Sequence, residues 1–178
     1  MSPLEYLHNP SYPIVLAQYK RDGWGVGHEE HLHWALMTIT DTNRLRGHCF
    51  QAVDRVYADE RGKVWSLHYA KDASLERTSK CLGGIQIGSV KARKLDSLLE
   101  IIQQHSTVPK FAGWNCRDWI LEVVETLACK GWIHERFAAA HEAANPQEVF
   151  LTGLRIASRA TAAIQGKDFK PQVQWLEW

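Results

Sequence analysis

The chain has 178 residues, 45% of them hydrophobic, and a formal net charge of +1. This length favours a single domain with a substantial core. Because the charge is nearly balanced and its signs are mixed along the chain, there is no electrostatic reason to expect nucleic acid or an anionic membrane as partner. Four cysteines without Cys-x-x-Cys spacing indicate neither a disulfide scaffold nor a zinc ribbon, and they agree with a reducing compartment.

Targeting and membrane signals are not found in the sequence. Residues 1–6 have neither the basic nor the apolar segment of a secretory signal. No stretch approaches the ~20 apolar residues that a membrane span requires. We therefore expect a cytoplasmic chain without a membrane span.

The first half of the chain is predicted to form strands. Apolar or alternating runs bounded by glycine and turn residues favour strands at 13–19, 32–40, 47–53, 63–69 and 84–90. Three glycines around Trp24 form a loop between the first two strands. The polar segment 71–80 is expected to be a connecting loop.

The second half is predicted to be mainly helical. Apolar residues at three- and four-residue steps, an alanine-rich stretch and an opening proline predict helices at 91–104, 115–130, 133–144 and 146–165. The alternation in residues 172–178 suggests a docked extended strand. Strands followed by helices predict an α+β fold with an antiparallel sheet packed against helices. We expect one domain over residues 1–178, with a core at about 13–131 and a C-terminal helical extension at about 132–178.

Cys116 is the candidate nucleophile. Asn115 is a natural N-cap, which places Cys116 at the first helical position, where free backbone N–H groups stabilise a thiolate or an oxyanion. An imidazole from His33 on the second predicted strand would complete a nucleophile–base pair. Asp118 in the first turn is interpreted as a capping charge. By residue type alone Cys116 would be a small core residue, which is the expectation for Cys49, Cys81 and Cys129.

Three segments together resemble a known group of enzymes. His33-Trp34-Ala35-Leu36 on one strand, Gly47-His48-Cys49-Phe50-Gln51-Ala52-Val53 on the next, and Asn115-Cys116 opening a helix resemble permuted papain-fold thiol enzymes of the lecithin:retinol acyltransferase-like and PPPDE-type group. The resemblance covers roughly residues 30–130. It implies a permuted papain-like, NlpC-type domain with Cys116 as nucleophile and His33 as general base.

The third site residue departs from the pattern of that group. Gln51 stands where the group usually has a second histidine, and its amide would orient His33 by hydrogen bonding without titrating. His48 is the competing candidate, although it would lie on the opposite face of the strand. The residues after Cys116 also differ from the Glu-His-Phe of the group, and the hydrophobic C-terminal anchor of many members is missing. The resemblance therefore leaves a pseudoenzyme open.

The sequence as a whole predicts a cysteine-dependent hydrolase or acyl-transfer enzyme that acts on an amide, ester or thioester of a small molecule or peptide. No cofactor and no metal are expected, and the oligomeric state is not readable. Four residues that flank the predicted chemistry in sequence or on its strands are expected to contact substrate: Trp24, Trp114, Asn115 and His48.

Two alternatives remain open. One is a non-catalytic module of the same fold that binds a small molecule or peptide. The other is a zinc-dependent hydrolase with His31 and His33 as ligands and His48 or His68 as the third. If the histidine-rich segment 28–33 binds no metal, Glu29 and Glu30 are expected to be surface charges, with only His33 buried.

Overall fold

A computed structural model of the chain describes residues 9–164 and 169–177. The N-terminal segment 1–6, the predicted helix end at Gln165 and the terminal Trp178 lie outside these residues. The elements in chain order are β1 (Ser11–Tyr19), β2 (His33–Asp41), β3 (Arg46–Val56), β4 (Lys63–Ser74), β5 (Cys81–Lys91), α1 (Leu95–Gln104), α2 (Cys116–Ala128), α3 (Glu135–Ala138), α4 (Glu148–Ala163) and β6 (Val173–Gln174). The fold is α+β, as the order of predicted elements indicated.

The six strands form one sheet in the order β4-β3-β2-β1-β5-β6. All pairs among β1 to β5 are antiparallel, whereas β6 runs parallel to β5. The sheet is therefore mixed, and the prediction of a purely antiparallel sheet is wrong. Parallel neighbours need a long crossover, which here is the whole helical segment from α1 to α4. The expected docked extended segment near the C-terminus is confirmed at Val173–Gln174.

The polar sequence predicted a connecting loop at 71–80, and for residues 71–74 this prediction is wrong. They extend β4, and Ser74 pairs with Arg46 at the far end of β3. The strand ends where the side chain of Ser74 caps a 3-10 turn, Leu75–Arg77, whose first residue is fully buried. A polar strand end is possible here because β4 is an edge strand, so one side of it faces solvent.

Large apolar side chains on one face of the sheet pack against the helices. Trp34, Leu36 and Phe50 on the strands form one cluster with Trp119 of α2 and Phe150 of α4. Smaller residues such as Ala35 and Cys49 form a second cluster on the other face. This division follows the two-residue period of a strand. Since α4 belongs to the same cluster as the sheet, the C-terminal segment is an integral part of the core.

The alanine-rich segment 133–144 was predicted to be one helix, and this prediction is wrong. The segment forms the four-residue α3 and a 3-10 turn, Ala140–Glu142. Its beginning is held against β5 instead, because Ser89 N–H donates to the Trp132 carbonyl at 3.0 Å and His134 N–H donates to the Ile87 carbonyl at 2.9 Å. These bonds keep the backbone extended where a helix would otherwise begin. Only a glycine fits at position 88, since a Cβ there would lie 2.0 Å from the Trp132 oxygen.

None of the helices within the described residues is long and apolar enough to cross a membrane.

Candidate active site

The start of α2 is built by the predicted cap. The Asn115 side chain accepts a hydrogen bond from the Arg117 N–H at 3.0 Å, and the Asp118 carboxylate accepts one from the Asn115 N–H at 2.9 Å. Together they form a capping box, which fixes where the helix begins. Cys116 is thus the first residue of α2, and the interpretation of Asp118 as a capping charge is confirmed. Asn115, expected to contact substrate, has its side chain committed to the cap.

His33, at the beginning of β2, lies between Gln51 and Cys116. Its Nε2 is 2.7 Å from the Gln51 side-chain oxygen, so this nitrogen carries the proton and donates to the amide. The other ring nitrogen, Nδ1, is then the one left to interact with the Cys116 thiol, which is near enough for each group to shift the pKa of the other. The structure brings together three residues that are 18 and 65 positions apart in the chain.

The thiol and the imidazole shift each other's pKa in opposite directions. Burial raises the pKa of Cys116, but hydrogen bonding to His33, the charge of His33 and the Trp34 backbone N–H outweigh burial and lower it below its usual value. Burial lowers the pKa of His33, yet its interactions with the Cys116 thiolate and with Gln51 raise it overall. Both shifts favour a thiolate–imidazolium pair near neutral pH.

Cys116 is closed off from solvent in this conformation, with 0% of its surface exposed. The segment before β2 is fastened directly to the start of α2, because Arg117 Nη1 donates to the Leu32 carbonyl at 3.0 Å. This bond ties the strand that carries the imidazole to the helix that carries the thiol. A substrate therefore reaches the sulfur only after the residues over it move.

Residues 13–147 match the model of a family of unknown function, DUF6914. The chain belongs to the DUF6914 family. The matched region contains Cys116, His33 and Gln51, and it ends before α4 begins. No curated protein and no solved structure matches the chain.

Two other residues predicted to contact substrate in this DUF6914 chain have structural roles. Trp114 is only 3% exposed, its ring packs edge-on against Trp65 at 5.4 Å, and its Nε1 donates to Glu122 at 2.8 Å. Trp114 therefore lines no open cleft in this conformation, because proximity to Cys116 in sequence did not place its side chain in the open. His48 is buried, and its Nδ1 is 2.7 Å from the Tyr69 hydroxyl. It is Gln51 that contacts His33.

Trp24 is the predicted substrate-binding residue that is accessible. It is 42% exposed, and its ring contacts that of His31 with the ring centres 4.2 Å apart and the planes tilted by 32°. It lines a cavity of about 340 Å³ together with Arg21, Asp22, His31 and Arg117. The two arginines were not selected from the sequence, since isolated arginines in a loop and a first helical turn carry no local signal of a shared site.

Glu29 corrects the expectation for the segment 28–33. It was expected to be a surface charge, but it is 1% exposed, accepts a hydrogen bond from the Gly27 N–H at 2.9 Å, and accepts another from the Ser158 hydroxyl. Ser158 lies on α4, so its proximity could not be read from local sequence. The carboxylate anchors the loop that carries Trp24 to the last helix.

The zinc alternative lacks a ligand set in the part of the chain that the structure describes. No group of three or more His, Cys, Asp or Glu side chains is placed there to hold a metal ion. His31 packs against Trp24 and lies 3.6 Å from Glu30, while His33 is engaged by Gln51.

The other three cysteines differ from Cys116 in environment. Cys49 and Cys81 are buried, as expected, and burial raises their pKa values to about 11 and about 12. Cys129 was expected to be a core residue but is exposed, because it follows the end of α2 and leaves the apolar face of the helix. Among the three buried cysteines, only Cys116 has a lowered pKa.

Proposed function

We propose that this chain is a cysteine-dependent hydrolase or acyltransferase with a permuted papain-like arrangement. The observation that carries the proposal is the row Cys116–His33–Gln51, in which the thiol lies at the start of a helix, the imidazole is oriented at 2.7 Å by an amide oxygen, and the thiol and the imidazole shift each other's pKa in opposite directions. A nucleophile, a base and a group that orients the base are the minimum set for covalent acyl transfer.

The reaction is derived from these three residues. The Cys116 thiolate attacks the substrate carbonyl carbon, and the resulting oxyanion is held by the backbone N–H of Cys116 at the start of α2, since the N–H groups of the next residues are used by the cap. The imidazolium of His33 gives its proton to the leaving amine, alcohol or thiol as the bond to the carbonyl carbon breaks. The product of this half-reaction is a thioester on Cys116 and a neutral His33.

The second half-reaction reuses the base. Neutral His33 takes a proton from water or from an acceptor nucleophile, which attacks the thioester and releases the acyl group, restoring the thiolate–imidazolium pair. Gln51 keeps the imidazole plane aimed at the sulfur through both steps, since its oxygen accepts from Nε2 in either protonation state. Catalysis by a free thiol suits a reducing compartment, in agreement with the proposed cytoplasmic location.

The acyl-enzyme itself provides the test. We expect p-nitrophenyl acetate to give a rapid release of nitrophenolate and one acetyl group on Cys116, identified by peptide mass spectrometry. Cys116→Ser should abolish both signals. Cys129→Ser is the matched control, because it removes the exposed thiol and should leave both signals unchanged.

Acetylation that is confined to Cys129 or to surface lysines would contradict the enzyme proposal. The non-catalytic binding module would then be the better description. The specific observation that favours it is the complete burial of Cys116 beside an open cavity that contains Trp24. That outcome would make the cavity the first place to look for a ligand.

A further inference from the structure

The cavity beside the Cys116–His33 pair has an unusual set of charges. Two arginines, Arg21 and Arg117, and the imidazole of His31 line it, against a single carboxylate, Asp22. Neither arginine forms an ion pair with any residue in the described ranges 9–164 and 169–177. The other nearby acids have partners, because Asp118 caps α2 and Asp54 is 3.1 Å from Lys63.

The backbone at Arg21 and the side chain of Arg117 are each held by hydrogen bonds. Arg21 and Trp24 exchange backbone hydrogen bonds of 2.9 and 3.3 Å across a tight turn, in which Gly23 takes a φ of 81°. Arg117 is held through the single bond from Nη1 to the Leu32 carbonyl, while its Nε is buried with no hydrogen-bond partner within the described structure. The guanidinium of Arg117 thus has one hydrogen bond for its five N–H donors within the described structure, which leaves donors for an anion.

The cavity lies near the Cys116–His33 pair, although neither of these two residues lines it. Arg117 follows Cys116 directly in the first turn of α2, and His31 is two residues before His33. The charges of the arginines also act on the pair, since Arg117 lowers the pKa of Cys116 and Arg21 opposes the rise in the pKa of His33. A group that binds between the arginines therefore lies next to the reacting carbonyl.

We infer that this cavity recognises an anionic group, a carboxylate or a phosphate, carried by the acyl substrate close to its scissile carbonyl. The inference rests on the proposed function and adds the substrate class to it. Guanidinium groups bind such anions through charge-assisted hydrogen bonds, and a cavity of about 340 Å³ accommodates a small charged group with its neighbouring carbon atoms. The exposed Trp24 ring forms an apolar wall for those carbons.

Alkylation with two reagents of nearly equal size and different charge tests this inference. Iodoacetate is an anion and iodoacetamide is neutral, and both react with a thiolate by displacing iodide. Both reagents need the same opening of the structure to reach the buried sulfur. The contribution of that opening therefore cancels in the ratio of their rates at Cys116. The ratio at the exposed Cys129, measured in the same sample, reports the effect of the whole protein's charge.

We expect the iodoacetate-to-iodoacetamide ratio to be higher at Cys116 than at Cys129. His33 contributes to that preference, so the decisive variant is Arg21→Gln, which leaves the Cys116–His33–Gln51 row intact. It should lower the ratio at Cys116 by about 3- to 10-fold, the effect of one nearby charge in a partly solvated site. Arg93→Gln, which removes the same charge from an exposed position outside the cavity, should leave the ratio unchanged.

The two sources of negative charge are distinguished by competition at equal ionic strength. Succinate and inorganic phosphate are compared as inhibitors of iodoacetamide labelling at Cys116. The anion that slows labelling more in the native protein, and loses this effect in Arg21→Gln, shows whether the recognised group is a carboxylate or a phosphate.

An unchanged ratio in Arg21→Gln, or no protection by either anion, would overturn the inference while leaving the thiol chemistry intact. A Cys116 as inert to both reagents as Cys49 and Cys81 would overturn the proposed function, and the inference with it.

Discussion

Replacing His33 by glutamine should raise the pKa of Cys116 and so lower the reactivity of its thiol at neutral pH. Glutamine keeps a polar side chain near Gln51 but supplies no positive charge and no titrating hydrogen-bond partner for the sulfur. Burial, the largest influence on the thiol, remains and raises its pKa. The molecule contains its own reference for that situation, because Cys49 is buried without an imidazole partner and has a pKa of about 11.

The size of the effect follows from these values. A thiol with a pKa near 11 is ionised to only ~10⁻⁴ at pH 7, whereas one below the usual 9.0 is ionised to more than ~10⁻². The thiolate fraction therefore falls by at least ~100-fold if the pKa rises to that of Cys49. The more basic thiolate is intrinsically more nucleophilic, by about 10-fold over two units. The net loss in alkylation rate at pH 7 is thus at least about 10-fold.

The assay is the pH dependence of iodoacetamide labelling at each cysteine, measured by mass spectrometry. In the native protein the rate at Cys116 should level off at a lower pH than in His33→Gln, because the lowered pKa lets the thiolate form at lower pH. In His33→Gln it should keep rising with pH into the alkaline range. His48→Gln is the control, since His48 bonds to Tyr69 and not to the sulfur. Identical Cys116 profiles in the native protein and in His33→Gln would refute the assignment of the base.

Two further predictions concern groups around the site. Gln51→Ala should lower kcat for the acetyl ester by ~10- to 100-fold with some activity left, whereas His48→Ala should change kcat little. The opposite pattern in a steady-state assay would mean that Gln51 does not orient the base. Burial raises the pKa of Glu29, but hydrogen bonds from Ser158 and Gly27 and the charge of Arg155 lower it overall. The ionised carboxylate therefore stabilises the fold at pH 7, and this stabilisation is lost as the pH falls through the folded-state pKa. Glu29→Gln should therefore reduce the free energy of unfolding at pH 7 more than at about pH 3 in urea denaturation, and an equal loss at both pH values would contradict this ionisation.

Features set by local sequence were predictable. The start of α2 follows from Asn115 and the apolar period after it, and the structure has its cap at that residue. The five long strands were identified from alternation and turn residues, although each extends one or more residues beyond its predicted bounds because pairing with a neighbour continues the ladder.

Features set by distant contacts were not predictable. The segment 133–144 has the composition of a helix, but hydrogen bonds to β5 hold its first residues extended. Glu29 is buried because Ser158, 129 residues away, donates to it. The cavity combines arginines from a loop and from a helix start, and no single stretch of sequence contains both. In each case a tertiary contact overrides what the local residues favour.

The complete burial of Cys116 also bears on how the protein withstands oxidants. A thiolate at neutral pH is the form that peroxide converts to sulfenic acid, so a lowered pKa normally exposes a cysteine to damage. Here the sulfur has no contact with solvent until the segment fastened by Arg117 to Leu32 releases it. Inactivation by peroxide is then limited by how often the structure opens, and a substrate that occupies the opened site would shield the same atom. The closed conformation therefore shields from solvent the one buried cysteine whose pKa is lowered.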